Sequence, residues 1–179
     1  MYGFTHSLIC ALVVAASAFG AGATVAKDTP ARDRRIVDVA EAGDARSESV
    51  HGFAGSGVEL GQYEGKAYRR TSGWMHFAMT TFEDTEVTVS LAFLGIGAAS
   101  GAYDVVVEDS VVATRTIPAA LTGQVNVDVV VPFSLTKGKA NIAVVIRARD
   151  GVTPALRQVR TIQDHHELDP SQNLTGVTR

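Results

Sequence analysis

Alternation of apolar and polar residues over short segments is the feature of this sequence that most restricts its fold. The clearest case is Gln124–Pro132, where every second residue from Val125 to Val131 is valine. Because successive side chains of a strand point to opposite faces, this pattern predicts a strand with one buried face. Two further segments place apolar residues on one face in the same way, namely Val87, Val89, Leu91 and Phe93, and Tyr103, Val105 and Val107.

Strand-like segments recur along the chain, separated by turn sequences such as Asp109-Ser110, Lys137-Gly138 and Asp150-Gly151. We predict strands at Ile36–Ala40, Ala67–Thr71, Gly73–Thr80, Glu86–Leu94, Ala102–Glu108, Val111–Ile117, Gln124–Pro132, Ala140–Ala148 and Leu156–Ile162. No segment has a convincing helical pattern. Roughly nine strands without a helix indicate an antiparallel β-sandwich or jelly roll.

The amino-terminal residues have the character of a secretory signal peptide. Residues 1–26 contain no Asp, Glu, Lys or Arg, and the apolar run from Leu8 to Phe19 is followed by small residues. A membrane anchor is the alternative, but the run is shorter than the ~20 residues that span a bilayer. We therefore expect a secreted or periplasmic protein with no membrane association after cleavage. Cys10 is the only cysteine, so the mature chain should have no thiol.

The remaining chain is expected to form one domain. Its 179 residues, 46% hydrophobic and 20% charged, have an ordinary globular composition. We predict a flexible leader at 27–35, a β-sandwich domain at 36–162 and a loose tail at 163–179. The net charge of -3, with no cluster of Lys or Arg, argues against nucleic acid as a partner.

A group of polar and aromatic residues precedes most of the strands, in the order Gly43-Asp44, Ser47-Glu48, His51, Tyr68-Arg69 and Ser72–Phe77. Downstream follow Phe93-Leu94-Gly95, Tyr103–Asp109, Pro132, Lys137-Gly138-Lys139 and Arg147-Ala148. In order and spacing, this set resembles the C-terminal accessory β-sandwich domain, of uncharacterised function, of β-L-arabinofuranosidase-type glycoside hydrolases (family 127). The resemblance runs from Val37 to about Ile162. It implies an accessory domain, and the fold we expect is a galactose-binding-like sandwich of about 8–9 strands.

The segment Glu41–Gly65 is rich in glycine and longer than most connections inside compact domains, and such loops often carry function. We expect Glu48 and His51 of this loop to lie with Arg69 near one end of the following strand. The alternative is structural, with Glu48 pairing with Arg69, or Asp44 bonding an amide, to fix the loop.

Trp74 and His76 share one face of the predicted strand, and Met75, Phe77 and Met79 occupy the other. A tryptophan beside hydrogen-bonding side chains suits a sugar, because the apolar face of the sugar stacks on the indole while its hydroxyls are bonded. The candidate ligand-binding residues are therefore Glu48, His51, Arg69, Trp74 and His76. The alternatives are that Trp74 is a core residue and that His51 only makes structural hydrogen bonds.

No motif for catalysis or for a cofactor is present. The sequence lacks a Gly-x-Ser-x-Gly elbow, a phosphate loop and a His-Glu-x-x-His pair. Glycoside hydrolysis needs two carboxylates at about 5 Å or roughly 6.5–9.5 Å, a pairing that 19 acidic residues leave open. His165-His166 would point to opposite sides of an extended chain, so we expect no metal ion and no cofactor.

The combined observations predict a secreted, non-catalytic accessory domain that binds carbohydrate, such as a plant-type oligosaccharide. The alternative is a structural or docking module that packs against a carbohydrate-active or envelope protein, and a glycoside hydrolase is a third, weaker reading. Docking needs a broad apolar patch, whereas sugar binding needs a small concave site that holds Trp74 with His51 or Arg69 beside it. The exposure of Trp74 discriminates between them.

Overall fold

The computed structural model of the chain describes residues 34–96, 101–116 and 122–164. They form, in order, β1 (Arg34–Glu41), α1 (Ala45–Val50), β2 (Ala54–Tyr63), β3 (Lys66–Thr80), β4 (Val87–Ile96), β5 (Tyr103–Val107), β6 (Ser110–Arg115), β7 (Thr122–Val131), α2 (Phe133–Thr136), β8 (Asn141–Ala148) and β9 (Ala155–Asp164). The predicted signal peptide, the paired histidines and most of the predicted leader and tail lie outside the described residues.

The strands form one continuous antiparallel sheet folded into two layers. The β3 layer contains β2, β3, β8, β5 and β6, and the β4 layer contains β1, β9, β4 and β7, each in hydrogen-bonded order. The layers are connected where Arg69 of β3 pairs with Leu156 of β9. This confirms the predicted antiparallel sandwich.

The core lies between the inner faces of the two layers. Phe93 of the β4 layer and Tyr103 of the β3 layer meet there, with ring centroids 5.2 Å apart. Most of the alternating residues that the sequence assigns to the core are buried, namely Met75, Phe77, Met79, Val87, Val89, Leu91, Phe93, Tyr103, Val105, Val107, Val129 and Val131. Val125 and Val127, at the start of the valine row, are only partly buried. Valine, leucine and methionine on these faces give the sandwich its apolar interior.

The expectation of a long loop at Glu41–Gly65 is wrong, as is the expectation that the chain has no helix. The segment contains α1 and β2, and a second short helix, α2, follows β7. The side chain of Asp44 caps α1 by accepting a hydrogen bond from the Ser47 amide at 2.7 Å. No helix in the described part of the chain is long and apolar enough to cross a membrane.

A tight hairpin joins β2 to β3. Its two turn residues, Glu64 and Gly65, have φ of 49° and 74°, as a two-residue hairpin turn requires. The pairing shifts register between Ser56 and Val58, opposite Ser72 and Gly73. The predicted strands Ala67–Thr71 and Gly73–Thr80 are therefore one strand with a bulge, because a bulge adds a residue without ending the pairing.

Candidate functional site

Trp74 lies on the outer face of the β3 layer. Its side chain is exposed, with 40% of its surface accessible, whereas Met75 and Phe77 beside it are fully buried. The alternative that Trp74 belongs to the core is thereby excluded. The position results from the alternation along β3, which turns odd-numbered residues inward and even-numbered residues outward.

A polar row crosses the layer from Trp74. Trp74 of β3 pairs with Arg147 of β8, Arg147 pairs with Asp104 of β5, and Asp104 pairs with Thr114 of β6. Residues paired directly across antiparallel strands project from the same face. The indole therefore has an arginine as its immediate neighbour and a carboxylate one strand further away.

Asp104 organises this row. Its carboxylate is only 4% exposed, whereas the side chains of Arg147 and Arg149 are 50% and 55% exposed. Oδ2 accepts a hydrogen bond from Arg147 Nη2 at 2.9 Å, and Oδ1 accepts from Thr114 Oγ1 at 2.7 Å and from Arg149 Nη1 at 3.4 Å. Two exposed guanidinium groups are thus held by one buried anion, next to an exposed tryptophan.

The same contacts set the charge of Asp104. Burial alone raises the pKa of its carboxyl group, but the hydrogen bonds from Thr114 and Arg147 and the charges of the two arginines outweigh that effect. The pKa of Asp104 therefore lies below its ordinary value. The group remains an anion, bound to cations, at neutral pH.

Acid is expected to destabilise the protein partly through Asp104. A carboxyl group with a lowered pKa stabilises the fold above its unfolded pKa of about 4, and this contribution is lost as the pH falls through the folded value. We expect Asp104→Asn to be less stable than the parent at about pH 7, and its stability to decline less steeply below about pH 4. The pKa values of Asp38 and Glu108 are also lowered, so part of the decline remains. Urea denaturation across this range measures both slopes, and parallel curves would contradict the expectation.

Glu48 and Arg69 form a partly buried ion pair on the inner side of the β2–β3 hairpin. Arg69 Nε and Nη2 donate to the two Glu48 oxygens, both at 2.8 Å, and Glu48 Oε1 also accepts from the Gly43 amide at 2.7 Å. The guanidinium lies 5.2 Å from the centre of the Phe53 ring. The pair ties α1 and its preceding turn to β3, as the structural interpretation of the loop predicts.

His51 is buried at the end of α1 and links it to β1. Its Nδ1 lies 2.7 Å from the Ser47 carbonyl oxygen, and its Nε2 lies 3.1 Å from Asp38 Oδ1. Asp38 Oδ2 in turn accepts from the Thr80 amide at 2.8 Å. Both ring nitrogens of His51 therefore have partners within the protein.

The structure thus separates the five candidate residues into two groups. Trp74 and His76 share the outer face of β3, where His76 Nδ1 lies 3.2 Å from the Gly52 carbonyl oxygen. Glu48 and Arg69 bind each other on the inner side of the hairpin, and His51 binds Asp38 and the Ser47 carbonyl, so none of the three joins Trp74 on the outer face. The row that contains Trp74 instead holds Arg147, Asp104 and Thr114, with Arg149 bound to Asp104, and none of these four is among the candidates predicted from the sequence.

The described residues form no cluster of metal-ligating side chains. Within these residues, no three His, Cys, Asp or Glu side chains are grouped closely enough to hold a metal ion. The row that contains Trp74 offers stacking on the indole and hydrogen bonding from the arginines.

The fold is similar to the jelly-roll fold of carbohydrate-binding modules. The chain superposes on a family 35 carbohydrate-binding module from Clostridium thermocellum with a TM-score of 0.51 and 12% identity, over 72% of this chain and 96% of that one. A family 35 module from an environmental isolate gives a TM-score of 0.50 and 19% identity, over 71% and 96%. The chain belongs to a family of unknown function, DUF6805, whose family model matches residues 31–162. None of the curated proteins matches the chain.

Proposed function

We propose that this chain is a secreted, non-catalytic domain that binds carbohydrate through the outer face of the β3 layer around Trp74. The observation that carries the proposal is the exposed indole beside the arginines that Asp104 holds. The similarity of the fold to carbohydrate-binding modules supports it.

The row across the sheet supplies the two kinds of contact that a sugar needs. The apolar face of a sugar ring stacks on the exposed side of Trp74. Arg147 and Arg149 each present several N–H donors, of which Asp104 occupies only some, so others are free to bond sugar hydroxyls. Because Asp104 already orders both side chains, less conformational freedom is lost when they bind.

Glu48, His51 and Arg69 have a scaffolding role in this proposal. Their polar atoms are satisfied within the protein, and Glu48 and His51 are each only 7% exposed. His76 remains at the margin of the site, since it shares the outer face with Trp74.

The carboxylate in the row of Trp74 is unsuited to glycoside hydrolysis. Asp104 is buried and bound to two arginines, which lower its pKa, whereas a general acid needs a raised one. We therefore infer an accessory role beside a carbohydrate-active protein, such as a β-L-arabinofuranosidase-type hydrolase, with a plant-type oligosaccharide as the ligand. Export by the predicted signal peptide would place the domain where such ligands occur.

Protein docking is the second candidate function, because the row next to Trp74 contains several valines. His76, Val145 and Val106 pair across β3, β8 and β5, and Val111 of the neighbouring edge strand is 51% exposed. A protein partner would cover this row together with Trp74. The two candidates are distinguished by whether free oligosaccharides bind.

Trp74→Ala should abolish oligosaccharide binding while changing the stability little. An exposed platform contributes little to the core, whereas truncation of a buried aromatic residue costs roughly 3–5 kcal/mol. Since Trp74 is the only tryptophan in the chain, a plant-type oligosaccharide should shift its fluorescence. Calorimetric titration measures binding to the variant, and thermal unfolding measures its stability.

Phe82→Ala is the matched control, because Phe82 is a similarly exposed aromatic residue, 49% accessible, outside the row. It should retain binding. An oligosaccharide panel that leaves the fluorescence of Trp74 unchanged and shows no heat of binding would overturn carbohydrate binding and favour docking.

A further inference from the structure

The β2–β3 hairpin carries a second aromatic surface. Gly61 of β2 pairs with Tyr68 of β3, and Tyr63 pairs with Lys66, so the two tyrosines project from the same face. A Cβ placed on Gly61 would lie 2.1 Å from Cζ of Tyr68 and 2.3 Å from its hydroxyl, which shows that the outer end of the ring lies over Gly61. The side chain of Tyr63 is 39% exposed.

The tyrosines lie on the outer side of β3, the side that carries Trp74. Buried Thr71, Met75 and Phe77 occupy odd positions of the strand. Trp74 precedes buried Met75, and Tyr68 precedes Arg69, whose guanidinium lies over the Phe53 ring on the inner side. Tyr68 and Trp74 therefore both face away from the core. They are six residues apart, which corresponds to at most about 20 Å along the strand.

Polar side chains lie between the two aromatic ends. Arg70 donates to Glu59 across the hairpin, Nε to Oε2 at 2.7 Å, and Ser72 is exposed. Both Arg70 and Ser72 occupy even positions of β3. The outer side of the strand therefore carries two hydrogen-bonding residues between two aromatic ones.

Small residues form the bulge between β2 and β3, next to Trp74. A Cβ on Gly57 would lie 2.5 Å from Ser72 Oγ, and one on Gly73 would lie 2.6 Å from the Ser56 carbonyl oxygen. The close approach of the two strands thus requires glycine at both positions. No bulky side chain therefore stands beside Trp74 at this bulge, and the Arg70–Glu59 pair lies between the bulge and Tyr68.

We propose that Tyr68 and Tyr63 form a second sugar subsite, and that the ligand is a linear oligosaccharide that follows β3 from Trp74 to the hairpin. The inference rests on the proposed function, which it deepens, since a single terminal sugar on Trp74 could not reach Tyr68. Stacking at both ends with hydrogen bonding between them is the pattern that a chain of sugar rings requires.

The test is a calorimetric titration of the full chain with an oligosaccharide series of increasing length, taken from the polysaccharide that shifts Trp74 fluorescence. Affinity should rise with length once the chain spans both ends. Tyr68→Ala should lower the affinity for the long members about tenfold and leave the short members unchanged, whereas Trp74→Ala should abolish both.

Tyr68→Phe, which keeps the ring, should retain the dependence on length, and Phe133→Ala, an exposed aromatic residue in α2, should not change it. Truncation of Tyr68 uncovers Gly61, so thermal unfolding accompanies each titration, and Tyr63→Ala provides the second test with a smaller structural change. Affinity that is independent of length, or equal losses for short and long members, would overturn the second subsite while leaving the Trp74 site intact. Absence of any binding to the parent chain would instead overturn the proposed function, and the second subsite with it.

Discussion

Glu48→Gln should reduce the free energy of unfolding by about 3 kcal/mol, because it leaves the Arg69 charge inside the hairpin without its anion. The side chain of Glu48 is 9% exposed and accepts three hydrogen bonds, two of them from the Arg69 guanidinium. Removing one partner of a buried pair typically costs 3–5 kcal/mol. The lower end of that range applies here, since Arg69 keeps 21% of its side-chain surface in water.

Glu59→Gln on the opposite face of the same hairpin is the matched control. Glu59 pairs with Arg70 at 2.7 Å, but the two side chains are 59% and 36% exposed. Exposed pairs of this kind contribute roughly 0–1 kcal/mol. Urea denaturation followed by circular dichroism compares the two variants, and equal small losses would show that the Glu48–Arg69 pair is not what holds α1 against β3.

Val129→Asp should cost about 4 kcal/mol or more, because it buries an unpaired carboxylate in the core. Val129 is 3% exposed and pairs with Val89 across β7 and β4. The neighbouring residue, Val130, is 57% exposed on the outer face of the same strand. Val130→Asp should therefore change stability by no more than about 1 kcal/mol.

The two variants differ by one position in the strand, so the comparison tests the alternation directly. Thermal or urea unfolding of both gives the difference. Comparable losses of stability would mean that the inner and outer faces of β7 are assigned wrongly. The outward position of Trp74 would then be in question too, because it is argued from the same alternation.

Alternation made most of the fold predictable from sequence. The strands with a regular apolar face, such as β4 and β7, occur close to where that pattern places them. β2 was missed because nearly all of its residues are exposed and three of its ten are glycine, so no alternation marks it. Its pairing depends on the two-residue turn at Glu64 and Gly65 and on contact with β3, which local sequence does not reveal.

The site was predictable only along one strand. The alternation in Ser72–Phe77 places Trp74 and His76 together and opposite the core residues. The polar residues in the row of Trp74 come from β8, β5 and β6, and the bonded pair Arg147 and Asp104 is separated by 43 residues in the sequence. Such neighbours depend on the register between strands, which a single sequence does not encode in any local pattern. The sequence did indicate the Glu48–Arg69 contact, but as the structural alternative.

The position of β9 has a consequence for how the domain folds. The last strand described pairs with β1, β4 and β3, so Asp164 lies beside Arg34 and Leu156 beside Arg69. The β4 layer is incomplete before this strand arrives, and the contacts of β9 close loops that range from the 61 residues separating Leu94 and Ala155 to the 130 separating Arg34 and Asp164. Folding dominated by such distant pairings is slow, with times of milliseconds to seconds typical of all-β sandwiches. A nascent chain that lacks β9 therefore has an open β4 layer, and the apolar inner face exposed during that interval favours aggregation.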